Sequence, residues 1–177
     1  MNATSTMSMI ALTFAITAAA AVDARADAPP PARTLGVDAV AALPIGDYAD
    51  VASVAAGALL KAAIPAGPVV ATVRTGALLH AMKVDGASLI YVPIWAGARL
   101  PVGGAGLFVA AELGVTIAHA SVDTGFGDGS DTKTELGASV GVGVRRGGLT
   151  LVGGVLMPDL GDTAALGASA GFDFATF

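Results

Sequence analysis

The chain has 177 residues, of which 54% are apolar and 13% are charged, with a net charge of −5 and no cysteine. Soluble domains typically carry about 25% charged residues, so this composition argues against an ordinary water-facing surface. The lack of cysteine excludes a disulfide scaffold, a cysteine-ligated metal and a thiol nucleophile. The acidic balance argues against nucleic acid as a partner, because such binders need a basic surface.

The N-terminal residues have the pattern of an export signal. Residues 10–22 form an apolar run, and Ala-Arg-Ala at 24–26 supplies the small-x-small motif that precedes a cleavage site. We therefore predict a signal peptide over 1–26, although no Lys or Arg precedes the apolar run. The alternative is an N-terminal helix, which the prolines at 29–31 would end. Residues 27–33 are then predicted to form an extended, proline-rich tether.

In residues 34–177, segments of about ten residues are separated by breaks at Gly, Pro and Asp. Within a segment, apolar and polar residues alternate, or the residues are small and apolar. This pattern predicts eight strands, at 34–43, 53–64, 68–79, 87–99, 106–118, 134–146, 149–156 and 164–175. The connections at 44–52, 80–86, 119–133 and 157–163 are long and polar, whereas those at 65–67, 100–105 and 147–148 are shorter. Alternating short and long connections are typical of an up-and-down membrane barrel.

Period-two alternation gives the predicted strands one wholly apolar face, except in the seventh strand, which is too short and glycine-rich to phase. In the fifth strand, for example, Leu113 and Val115 lie on the apolar face and Glu112 lies on the other. The charged residues within the strands all fall opposite the apolar face: Asp38, Lys61, Arg74, Arg99, Glu112, Arg145 and Asp173. Because eight strands leave little lumen, we predict an internal ladder of ion pairs rather than a conducting path.

Three segments resemble the small eight-stranded outer-membrane β-barrel family of Gram-negative bacteria. They are the leader that ends at 24–26, the strand Ala-Ala-Glu-Leu-Gly-Val at 110–115, and the closing strand Leu-Gly-Ala-Ser-Ala-Gly-Phe-Asp-Phe at 166–174. The resemblance extends over 34–177. It implies an all-β, antiparallel, up-and-down transmembrane barrel in the cell outer membrane, in which strand eight pairs with strand one. It also implies contact with outer-membrane lipid and lipopolysaccharide, and insertion by the barrel-assembly machinery.

The same resemblance assigns Phe172 and Phe174 to the aromatic signal for assembly at the C-terminus. Phe177 is out of register with this pair, so we expect it to lie past the strand pairing. The other aromatic residues after the predicted leader are few and make a thin aromatic belt: Tyr48, Tyr91, Trp95, Phe108 and Phe126. A soluble exported barrel that binds a small apolar ligand is therefore an alternative.

One motif offers candidate chemistry. His119 and Ser121, with Glu135 in the next strand, are similar to the His-x-Ser plus Glu arrangement of outer-membrane lipid A deacylases, in which His activates Ser. However, Val122 follows Ser121 where that family has Asn, and Glu135 falls on the opposite strand face. We therefore predict a non-enzymatic protein, and the deacylase activity stays an alternative.

The connection 119–133 and its border are rich in carboxylates, from Asp123, Asp128, Asp131 and Glu135. Their spacing matches no calcium loop, so we favour solvated acidic side chains over a metal site. We expect no metal and no cofactor. The predicted role is structural or adhesive, with acidic loops presented to the exterior, and the sequence specifies no exterior partner.

Overall fold

The computed structural model describes residues 33–103, 105–123 and 128–177. The predicted signal peptide, 1–26, and all but the last residue of the tether lie outside these ranges. The described residues form eight strands and one short helix: β1 (Thr34–Ile45), α1 (Tyr48–Val51), β2 (Ala52–Ala66), β3 (Val69–Met82), β4 (Ala87–Pro101), β5 (Leu107–Asp123), β6 (Asp128–Arg146), β7 (Leu149–Asp159) and β8 (Thr163–Thr176). None of the described helices is long and apolar enough to cross a membrane.

The strands form a closed antiparallel barrel in which each strand pairs with the next and β8 pairs with β1. The closing pair aligns twelve residues of each strand, from Thr34 opposite Thr176 to Ile45 opposite Ala164, with an irregularity after Leu35. Closure leaves no strand at an open edge of the sheet, which is the condition for strands to cross hydrocarbon. The predicted fold class, an up-and-down barrel of eight strands, is confirmed.

The outer face of the barrel is apolar. Leu113 of β5 is 56% exposed and Leu136 of β6 is 60% exposed, and the other strands carry similar side chains. The large exposed side chains outside β5 and β6 include Leu43, Leu60, Val73, Ile94, Leu151, Leu166 and Phe172. Each lies on the face opposite the strand charges, and β7, which the sequence pattern left unphased, also alternates. This apolar band is what hydrocarbon would contact.

The prediction that 119–133 forms a long loop is wrong. The β5–β6 hairpin continues through most of it, with Ile117 opposite Thr134, His119 opposite Thr132, and Asp123 opposite Asp128. The alternation of apolar and polar residues ends near Ile117, where the hairpin extends beyond the apolar band. Polar side chains take over the outer face, although the backbone ladder continues.

The predicted contrast between short turns and long loops is also weaker than expected. At one end of the barrel, here called the loop end, the connections span 46–51, 83–86, 124–127 and 160–162. At the other end, the turn end, they span 67–68, 102–106 and 147–148. The β4–β5 turn is therefore longer than three of the four loop-end connections. Strand pairing extends into segments whose polar composition had indicated loops.

The end of β8 also differs from expectation. Ala175 and Thr176 pair with Leu35 and Thr34, and the backbone N–H of Phe177 donates to the carbonyl oxygen of Arg33 over 3.0 Å. Phe177 therefore does not lie past the pairing region. The ladder is irregular beside Phe174, since Asp173 pairs with Gly36 and Ala175 pairs with Leu35. This irregularity shifts the register by one residue, so the pairing continues to the end of β8.

Candidate functional site

The inner face of the barrel holds all seven of the predicted strand charges. The ammonium of Lys61 lies 3.0 Å from Asp38 Oδ1 and 3.0 Å from Asp173 Oδ1, so it joins β1 to β8. The guanidinium of Arg145 extends the chain of ion pairs toward the turn end, 2.7 Å from Asp173 Oδ2. The Lys61 side chain is fully buried, so these contacts are made away from bulk water.

Arg74 continues the network across the lumen. It lies 3.6 Å from Asp38 Oδ2, and its Nε donates to Glu112 Oε2 over 2.7 Å, with a second donation from the guanidinium to the same oxygen. Thr72 donates its hydroxyl to Glu112 Oε1 over 3.0 Å, and Ser139 donates to Glu112 Oε2 over 3.1 Å. The Glu112 carboxylate of β5 therefore accepts hydrogen bonds from two other strands, β3 and β6.

Glycines on the inner face leave the space that this network occupies. A Cβ added to Gly171 of β8 would lie 1.9 Å from Asp38 Oδ1, and one added to Gly36 of β1 would lie 2.7 Å from Asp173 Oδ1. Neither distance is tolerated between real atoms. The glycines that alternate with apolar residues in the sequence thus make room for buried carboxylates in a narrow lumen.

Six of the seven charges form one continuous set of ion pairs, which runs Arg145–Asp173–Lys61–Asp38–Arg74–Glu112. Arg99 is the exception, since within the described ranges its guanidinium makes no ion pair and lies over the ring of Phe108, 5.1 Å from the centroid. Burying charges costs free energy unless each one is paired and hydrogen-bonded. Each of the six charges in the network has an ionic partner, although Asp38 Oδ2 and Asp173 Oδ1 accept no hydrogen bond among the described residues. Arg99 has no ionic partner there.

Aromatic side chains also fill the lumen, which sequence reasoning missed. Trp95 is fully buried and donates its indole N–H to Thr116 Oγ1 over 3.1 Å, packed against Leu156 and Ala165. The sequence had counted this tryptophan among the residues of a thin membrane belt. Its strand position could have placed it, because it lies four residues from Arg99 and so shares the inner face of β4.

A second aromatic group closes the loop end. Tyr48 of α1 is buried against Leu59 and Leu78, and its ring centroid lies 5.8 Å from that of His80. His80 in turn packs edge-on against Tyr91, with centroids 4.6 Å apart. Burial, reinforced by the nearby Tyr91, raises the pKa of the Tyr48 hydroxyl, so this group is uncharged at physiological pH. The first loop-end connection thus folds an aromatic side chain into the mouth of the barrel.

The candidate catalytic residues are not brought together. His119 Nδ1 lies 2.9 Å from Thr132 Oγ1, and Ser121 Oγ lies 2.7 Å from Ser88 Oγ, both on the outer face. Glu135 lies opposite Thr116, on the inner face of the same hairpin. The carboxylate therefore lies across the sheet from the imidazole, and the serine hydroxyl is bonded to another serine rather than to a base.

The acidic residues of the β5–β6 hairpin make one exposed ion pair, between Asp131 Oδ2 and Lys133 Nζ at 3.8 Å. No group of three or more potential metal ligands is found within the part of the chain that the structure describes. Glu135 lies on the inner face, whereas Asp123 lies on the outer face at the end of its strand. The carboxylates thus lie on both sides of the hairpin.

Phe172 and Phe174, the predicted assembly signal, both lie on the outer face of β8. They are 52% and 57% exposed, and Phe172 is opposite Val37 of β1. Among the described residues, the large exposed aromatic side chains are these two and Phe177, all near the turn end. The outer aromatic surface is therefore concentrated beside the strand pair that closes the barrel.

Comparisons with known proteins identify the same architecture. No family model matches the sequence, and no curated protein matches it. The chain is structurally similar to Ail, the attachment invasion locus protein of Yersinia pestis, with a TM-score of 0.62, 13% identity, and 80% of this chain and 97% of that one covered. It is also similar to the N-terminal β-barrel domain of Pseudomonas aeruginosa OprF, with a TM-score of 0.60, 10% identity and the same coverage.

A third structure, Neisserial surface protein A, gives a TM-score of 0.52 at 17% identity, again over 80% of this chain and 97% of the other. The chain has the fold of the small outer-membrane barrels. At identities this low, the likeness establishes the fold and carries no residue-level assignment. The resemblance proposed from the leader and from the strands at 110–115 and 166–174 is thereby confirmed at the level of architecture.

Proposed function

We propose that this protein is a non-enzymatic barrel of the cell outer membrane, with a structural or adhesive role. The observation that carries the proposal is the division of the two faces. The outer face is apolar from the turn end to about Ile117, and the inner face is filled with ion pairs and aromatic rings. A soluble barrel would present the opposite arrangement, with polar groups toward water.

The β5–β6 hairpin is the part that we propose to face the exterior. It continues past Ile117 with a polar outer face, and β6 begins to pair with β7 only at Ala138. The segment before Ala138 therefore projects beyond the neighbouring strand. One structural neighbour is described as an attachment invasion protein, which supports a contact role for a surface of this kind.

The charge at the loop end supports an acidic exterior surface. The carboxylates that lie at this end in strand order are Asp47, Asp50, Asp85, Asp123, Asp128, Asp131, Glu135, Asp159 and Asp162. The basic residues there are Lys83 and Lys133, whereas Arg33, Arg99, Arg145 and Arg146 lie toward the turn end. We propose that the acidic loop end faces outward and the basic turn end faces the periplasm.

The orientation is tested by labelling, since the natural chain has no cysteine. Lys133→Cys places a thiol on the hairpin, and Ala66→Cys places one at the exposed end of β2 beside a turn. A membrane-impermeant maleimide added to intact cells should label only the hairpin variant, and both variants after the outer membrane is permeabilised. Labelling of Ala66→Cys alone in intact cells would invert the proposed orientation.

The contact role is tested by shortening the hairpin. Replacing residues 120–131 with Asn-Gly keeps the pair between His119 and Thr132 and supplies a two-residue turn. If the protein is adhesive, cells that express the shortened form should lose attachment to surfaces while the barrel stays folded. If attachment is unchanged, the role is structural. Altered lipid A in wild-type cells that is lost in His119→Ala cells would instead reveal an enzyme.

A further inference from the structure

Among the seven strand charges on the inner face, cations outnumber anions by one. The basic side chains on the inner face are Lys61, Arg74, Arg99 and Arg145, and the acidic side chains within the network are Asp38, Glu112 and Asp173. All three carboxylates are already engaged by cations other than Arg99. The excess charge therefore resides on Arg99.

Arg99 is nine-tenths buried, at 7% exposure, yet no carboxylate or hydroxyl among the described residues pairs with it. The guanidinium lies over the ring of Phe108, which is itself buried. A guanidinium carries five N–H donors, and leaving a buried charge without a partner is costly. The attraction of the aromatic face offsets only part of that cost.

A cavity of about 40 Å³ borders this guanidinium. It has room for roughly two to three water-sized particles. Arg74 and Ser169 also line it, and the remaining wall includes the glycines Gly141, Gly154 and Gly167. Glu112 reaches the cavity too, but its oxygens accept hydrogen bonds from Arg74, Thr72 and Ser139. The N–H groups of Arg99 are therefore the donors at this cavity that have no acceptor among the described residues. The Ser169 hydroxyl lies on the opposite wall.

We propose that this cavity is a binding site for a small monovalent anion of the size of chloride. Arg99 supplies the opposite charge and Ser169 a hydroxyl donor, and the bound anion balances the excess positive charge of the seven-residue set. The volume suits an anion of few atoms and excludes one as large as gluconate. Arg99 lies two residues before the end of β4, near the turn end, with its guanidinium over the ring of Phe108.

The experiment measures urea unfolding of the purified, folded protein in detergent micelles at constant ionic strength, while gluconate is replaced by chloride. We expect the midpoint to rise with chloride and then to level off. A concentration of 100 times the Kd would increase the ratio of folded to unfolded protein about 100-fold. Equal midpoints in the two salts would overturn the proposal, because a cavity that holds only water does not distinguish them.

Two variants separate a specific site from a general salt effect. Arg99→Met should abolish the dependence on chloride, whereas Lys133→Met, which removes an exposed cation, should retain it. If Arg99→Met does not fold, Ser169→Ala should weaken the apparent affinity for chloride. Crystals grown with bromide supply the direct observation. An anomalous peak beside the Arg99 guanidinium supports the site, and a bromide-free cavity overturns it.

Discussion

The ammonium of Lys61 lies 3.0 Å from the carboxylate of Asp173, and this ion pair connects the second strand of the barrel to the last. The two residues are more than a hundred positions apart in the sequence, and β1 lies between their strands. Because Lys61 also contacts Asp38 of that intervening strand, one buried cation joins three strands at the place where the barrel closes. The interior thus holds the closing strand pair as well as filling the lumen.

Replacing Lys61 should therefore destabilise the barrel strongly. Lys61→Met leaves Asp38 and Asp173 as buried carboxylates that have lost a shared cation, a change that costs about 3–5 kcal/mol. Urea unfolding, followed by the fluorescence of Trp95, the single tryptophan, measures the effect. The matched control is Lys133→Met, whose exposed pair with Asp131 is worth at most about 1 kcal/mol. Equal losses in the two variants would contradict the role given to the buried network.

The hydrogen bond between Trp95 and Thr116 should also be measurable. Thr116→Val keeps the shape of the side chain but leaves the buried indole N–H without an acceptor, which costs about 1–3 kcal/mol. Thr134→Val changes an exposed threonine of the same hairpin and should have an effect within about 0.5 kcal/mol. The comparison uses urea unfolding midpoints in micelles. If Thr116→Val is silent, the indole has another partner.

The cost of placing a charge on the outer face should depend on the depth of that position in the membrane. Leu113 lies in the middle of the apolar band, so Leu113→Arg should cost about 2–4 kcal/mol when the protein folds into lipid vesicles. Ser130 lies on the same face but beyond the band, where Ser130→Arg should cost only about 0–1 kcal/mol. The folded fraction in vesicles as a function of urea gives both values. Similar costs at the two sites would mean that the band does not contact hydrocarbon.

Phe172 and Phe174 give a prediction about assembly in cells. Replacing both with Ala removes the outer aromatic pair beside the closing strands, and we expect the amount of folded protein in the outer membrane to fall sharply. Deleting 175–177 removes only two of the twelve residue pairs between β8 and β1, so we expect a smaller loss. The measurement is the heat-modifiable fraction in outer-membrane pellets. A deletion more damaging than the double substitution would place the assembly signal at Phe177.

Much of this fold follows from period-two alternation alone. Alternation places Asp38, Lys61 and Glu112 on one face. The reason is that the environment outside the barrel favours apolar side chains, whereas the narrow lumen takes small and paired polar ones. The partners of these charges do not follow from it, since the pairing of Lys61 with Asp173 depends on how strand eight meets strand one.

The polarity of a segment is a poorer guide to where strands end. Residues such as Thr132 were assigned to a loop because they are polar, yet they continue the ladder beyond the apolar band. Trp95 was misplaced for the converse reason, since an aromatic side chain in a membrane protein fits either an interfacial belt or a lumen that must be filled. Only its position relative to Arg99 distinguishes the two.

The central claim is that the chain folds as a closed barrel in the outer membrane. The most direct measurement separates cell fractions and compares boiled with unboiled protein on a detergent gel. We expect the protein in the outer-membrane fraction, with the unboiled sample at a different apparent mass from the boiled one because the closed barrel resists detergent at low temperature. Recovery in the soluble periplasm, with identical migration before and after boiling, would contradict the account.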